Sequence, residues 1–143
     1  MHQLIPVSES LKTLWINGAV NDLVPGGLIY GYVKAGTPQP YASLEITLDE
    51  TEWSTGRLYD QNYRVTVRVW ADQYLQNTED IQEALDTWLS PRTKLGLLTN
   101  GAKTMQVYHL PFSVDEDKER REEQNVFQAG AAWMITIQEV RRV

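Results

Sequence analysis

The chain has 143 residues, 42% of them hydrophobic, and its five Trp and seven Tyr supply large apolar surfaces for a single core. It has no cysteine, which excludes disulfides, thiolate metal sites and cysteine nucleophiles. Its formal charge of −6 argues against a nonspecific grip on nucleic acid, where Lys and Arg must neutralise phosphates. No apolar run approaches the roughly 20 residues of a membrane span. The opening MHQLIPVSES lacks the basic start and apolar stretch of a secretory signal.

The first predicted element is a helix from about Glu9 to Asn17, capped by Ser8, with Leu11, Leu14 and Trp15 as its apolar stripe. Asn17-Gly18 ends it, with glycine supplying a left-handed terminus. Pro25-Gly26-Gly27 leads into a short strand over Leu28 to Val33, followed by the turn formers KAGTPQP. From Tyr41 to Leu48, the residues Ala42, Leu44, Ile46 and Leu48 alternate with polar neighbours as a half-buried strand. Residues 49–61, DETEWSTGRLYDQ, are polar and form either a long hairpin connection or a strand extension projecting from the body.

Residues 62–89 carry the strongest pattern. Tyr63, Val65, Val67 and Val69 alternate with Arg64, Thr66, Arg68 and Trp70, the period of a two-faced strand. A helix then opens at Thr78, whose hydroxyl is placed to accept a first-turn N–H, and Glu79 and Asp80 favour the positive end of its dipole. Ile81, Ala84, Leu85, Trp88 and Leu89 fall on one stripe, and Pro91 stops the helix. Leu95, Leu97 and Leu98 then tuck a loop against the core, and Asn100-Gly101 turns into a strand from Thr104 to about Leu110. A long final strand covers Val126 to Val140, with Ala131, Trp133, Ile135 and Ile137 on one face and Gly130 at a bulge or bend. This order predicts one α+β domain over 1–143: a mostly antiparallel β-sheet with two main helices packed on one face.

Catalytic, cofactor and metal chemistry find no motif. The two histidines, His2 and His109, stand at no recognised ligand spacing. His109, Ser113 and Asp115 are triad residue types close in sequence, but no nucleophile-elbow pattern surrounds them. Pro25-Gly26-Gly27 lacks the spacing of a phosphate loop. The expectation is therefore a protein that is not an enzyme and needs no cofactor or metal. The run DEDKERREEQ, residues 115–124, packs six acids and three bases between two predicted strands. It reads either as a solvated loop or as a segment that orders against a partner or a neighbouring subunit. Trp53, in its polar segment, is either an interface anchor or packed on its own sheet.

Taken in order, the short N-terminal helix, GGLIYGYVKAGTPQPYASLEI, the Trp-containing polar hairpin, YRVTVRVWA and the helix with its leucine-rich loop form a recognisable series. With the closing strand, charged loop and long last strand, it resembles the tail-terminator or tail-completion proteins of long-tailed bacteriophages, also called head–tail joining proteins. Pro40-Tyr41 opening the second strand, and Val67, Val69, Trp70 and Ala71 closing the third, carry the likeness.

The resemblance implies a non-enzymatic virion assembly protein of a phage or prophage, found in the host bacterial cytoplasm during assembly and then in the virion's tail or neck. Six copies would form a ring that caps the tail tube, stops its polymerisation and joins it to the head connector. DNA would pass through the centre without specific binding, and no membrane would be involved. Projecting hairpins and loops make the contacts in such rings. That role maps onto residues 49–60 and 113–125, with Trp53, Arg57, Asp115, Glu116, Asp117, Arg120 and Arg121 as interface candidates. Strand-edge pairing through 126–140 is a further route. The competing readings are another neck or adaptor protein, and a small ligand-binding or enzymatic domain using Tyr63, His109 and Glu45 in a pocket between sheet and helices.

Overall fold

The computed structural model describes residues 4–53, 58–89, 102–112, 121–122 and 125–140. The elements run α1 (Leu4–Ile16), α2 (Val20–Leu23), β1 (Leu28–Tyr30), β2 (Tyr41–Trp53), β3 (Leu58–Ala71), α3 (Thr78–Thr87), β4 (Lys103–Leu110), β5 (Arg121–Glu122) and β6 (Asn125–Val140). Among the described residues the strands make one sheet in the order β1-β2-β3-β6-β4, with β5 paired to the start of β6. Every pairing is antiparallel except β1 with β2. The sheet curls as a half-barrel, and the α+β class is as the sequence predicts. No helix of the described residues is long and apolar enough to cross a membrane.

One face of the sheet holds the core. Tyr63, Val65, Val67 and Val69 of β3 are fully buried, and their partners Ile135, Trp133, Ala131 and Ala129 on β6 continue the same surface. Val7, Leu11 and Trp15 of α1 pack onto it, as do Ile81 and Leu85 of α3 with Trp88 and Leu89 just beyond that helix. Each such side chain contributes on the order of 1.5–3 kcal/mol through burial. Trp15, Trp88 and Trp133 meet edge to face in sequence, at 5.1 and 5.5 Å between centroids, tying both helices to the sheet. The opposite face carries a smaller cluster of Tyr41, Trp70 and Phe127, with Ile29, Val33 and Phe112 against it. Trp70 therefore belongs to a second core and not to a solvated face.

The polar stretch 49–61 is a strand extension for its described part. β2 and β3 stay paired out to Trp53 and Tyr59, and β3 pairs with β6 as far as Leu58 and Val140. Thr136 donates to Asn62 at 2.7 Å and Gln138 donates to Asp60 at 3.1 Å, bonding the strands across that extension.

Several local expectations are corrected. Helix α1 starts at Leu4, because Pro6 is tolerated in a first turn where its missing N–H has no partner to lose. Ser8 is consequently inside the helix and donates back to the Ile5 carbonyl at 2.8 Å instead of capping. Gly18 is not left-handed; Gly27, Gly31 and Gly36 are, with φ of 75°, 104° and 82°. The chain after α1 turns straight into α2, closed by a Gly18 N–H to Trp15 carbonyl bond of 3.1 Å. β1 stops at Tyr30, short of the predicted Val33. Thr78 donates to the Leu75 carbonyl at 2.8 Å and Asn77 is the N-cap without a side-chain bond, so the helix start is held by the preceding loop. The β3–β6 register shift leaves Gln128 as the extra residue, between Val69–Ala129 and Trp70–Phe127, so the bulge is two residues before Gly130. Pro91, Leu95, Leu97, Leu98 and Asn100-Gly101 lie outside the described residues.

Candidate functional site

β4 ends at Leu110 opposite Ala132, while β6 continues toward Asn125 with one edge no longer paired to β4. Backbone N–H and C=O groups left on such an edge need partners. Side-chain amides supply them here. Gln82 of α3 donates to the Gly130 carbonyl at 2.8 Å and accepts the Gly130 N–H at 3.1 Å. Gln128 accepts the Leu75 N–H and donates to the Gln73 carbonyl, each at 3.1 Å, tying the bulge to the link before α3.

Beside this edge lies an open groove of about 540 Å³ lined by Gln82, Asp86, His109, Leu110, Pro111, Phe112 and Gly130. His109 lies flat on Trp133, 5.5 Å between centroids and 19° between planes. Its Nε2 is 3.7 Å from the Asp86 carboxylate, and both side chains are more than 40% exposed. A pair so exposed contributes no more than about 1 kcal/mol even when the imidazole is protonated. Phe112 closes the other end of the groove, over Gly130. Its ring centroid is 6.1 Å from that of Phe127 and 5.8 Å from the Arg68 guanidinium carbon. Arg68 in turn pairs with Glu45 at 2.8 Å across the β2–β3 ladder.

Toward the end of the charged run in sequence, Arg121 and Glu122 pair with Val126 and Asn125. Phe112 and Phe127, which precede and follow the charged segment in sequence, both pack in the Trp70 cluster.

Of the interface candidates, Arg57, Asp115, Glu116, Asp117 and Arg120 lie outside the described residues, as do Ser113 and the rest of 113–120. Trp53 and Arg121 are placed by their backbone, Trp53 opposite Tyr59 at the far end of β2 and Arg121 opposite Val126. The pocket set Tyr63, His109 and Glu45 is not brought together. Tyr63 is fully buried in the main core with its hydroxyl 2.6 Å from Gln61 Oε1, Glu45 is on the opposite face of the sheet, and only His109 lines the groove. Among the described residues no three His, Asp or Glu gather as a metal site. Gln82, Asp86, Phe112 and Gln128 were not legible as site residues, since a helix-surface glutamine carries no mark of the distant strand that it bonds.

Neither a protein-family model nor a curated protein matches the sequence.

Proposed function

We propose that this chain is a non-enzymatic virion assembly protein of a tailed phage or prophage, a tail terminator that rings the end of the tail tube and joins it to the head connector. The supporting observation is the disposition of the two segments that resemble contact loops. The first is flanked by Trp53 and Leu58, beside the Val140 end of β6; the second is flanked by Phe112, packed over Gly130, and by Arg121, paired with Val126 near the Asn125 end. Along β6, Val140 is separated from Gly130 and Val126 by roughly 33 to 46 Å of strand at about 3.3 Å per residue, before curvature. A subunit that must touch a tube on one side and a connector on the other needs two contact ends on one stiff element. The charge of −6 suits a conduit that DNA passes without sticking.

A neck adaptor is the nearest alternative and uses the same two ends. The test is to mix the purified chain with tail tubes of its own phage and image them by negative stain. A six-fold ring with a central opening at one tube end is expected. Tubes that stay bare at both ends would contradict the terminator reading.

A further inference from the structure

Helix α1 buries Val7, Ser8, Leu11 and Trp15 and turns another face outward. On that outer face Ile5 is 61% exposed and Ile16 is 68% exposed, two of the largest apolar exposures among the described residues. Glu9, which is exposed, and Lys12, which is partly exposed, lie between them. The spacing 5, 9, 12, 16 advances by four, three and four residues, which keeps all four on one stripe of a 3.6-residue helix. Among the described residues neither Glu9 nor Lys12 has an ion-pair partner in its own chain.

The stripe reads apolar, acid, base, apolar, and it is its own complement when reversed. We propose that α1 is a self-association surface whose occupant is α1 of a second copy, packed antiparallel about a two-fold axis. The axis passes between Ser10 and Leu11, the midpoint of both the 5–16 and the 9–12 pairs. In that arrangement Ile5 meets Ile16 of the second copy, and Glu9 meets its Lys12, each contact occurring twice as an isologous interface requires. The stripe spans about 16 Å at 1.5 Å per residue, short enough for two helices to stay in register at the shallow antiparallel crossing of bundled helices. A parallel alignment would place Glu9 against Glu9 and Lys12 against Lys12, so the charges select the antiparallel one. In a six-membered ring the two-fold coincides with the ring axis and relates subunits on opposite sides of the central opening, so this contact lies outside the ring and would join two free subunits or two rings face to face.

Sedimentation velocity over a range of concentrations, with three charge variants, tests this. The wild-type chain is expected to associate in steps of two. Glu9→Lys and Lys12→Glu each set like charges together at both contacts, and each should weaken association about tenfold or more. The double variant should recover it, because the swapped charges again oppose. An equimolar mixture of the two single variants should also recover it. There the Glu9→Lys chain presents only bases along the stripe, and the Lys12→Glu chain presents only acids to meet them. Loss of fold cannot mimic that recovery. A wild-type chain that stays monomeric, association unmoved by charge reversal, or a mixture that fails to recover would each overturn the proposal. A six-membered ring insensitive to these variants would overturn it while leaving the terminator reading standing. Two-fold association without any ring on tubes would do the reverse.

Discussion

Gln82 holds both backbone groups of Gly130, accepting its N–H and donating to its carbonyl, so that one side-chain amide from α3 replaces a strand residue at the sheet edge. Gly130 is buried, and removing the amide leaves a buried donor and acceptor unpaired. Gln82→Ala should lower stability by about 1–3 kcal/mol. Urea unfolding would show a lower midpoint, and amide hydrogen exchange at Gly130 should accelerate by more than that of Val67, which reports only the loss of global stability.

Gly130 has a second role that a side chain would spoil. A Cβ there would lie 2.6 Å from Phe112 Cε1 and 2.9 Å from Phe127 Cζ. Gly130→Ala should cost about 1–3 kcal/mol by overpacking. Phe112→Ala should absorb part of that cost, so the double variant is expected to be more stable than the sum of the singles. A double-mutant cycle by denaturant unfolding measures the coupling.

The groove offers a contrast between two stacked rings. Trp133 is 2% exposed and closes the tryptophan chain, so Trp133→Ala should cost about 3–5 kcal/mol. His109, stacked on its groove side, is about half exposed, and its ion pair with Asp86 is long. His109→Gln should change stability by less than about 1 kcal/mol. Thermal unfolding of the two variants side by side checks the difference.

Gly26 lies where the chain passes close to the start of β2. Its N–H donates to the Pro40 carbonyl at 2.9 Å, and a Cβ would run into the Pro38 carbonyl and sit 2.5 Å from the Tyr41 Cβ. These are largely backbone neighbours that cannot swing aside. Gly26→Ala is expected to cost about 2 kcal/mol or more, whereas Gly27, with nothing within 4 Å of an added Cβ, is limited by its φ of 75° alone. Chemical denaturation of the Gly26 variant tests the close approach.

The parts of the fold that were legible are those where burial repeats along a single element. Tyr63 to Val69 and Ala131 to Ile137 announce themselves because each second residue faces the helices, and Ile81 to Leu89 because that stripe has helical period. What stayed hidden depends on residues far apart in the chain. The amide of Gln82 finds Gly130 across 48 positions, and that of Gln128 reaches Gln73 across 55, with no local pattern to mark either. The parallel pairing of β1 with β2 is likewise set by where the turn formers carry the chain, not by the three residues of β1. For the site, composition marked the charged run, but the packing of Phe112 on Phe127, which flank it in sequence, is a tertiary fact. His109 was legible only as an isolated histidine, because its partners Trp133 and Asp86 come from other elements.

Under the proposed terminator function, deleting the chain from the genome that carries it tests capping and joining together. Electron microscopy of the resulting particles should show filled heads separated from tails, with tubes of uncontrolled length, both reversed by supplying the chain in trans. Joined particles with tails of normal length would contradict the account.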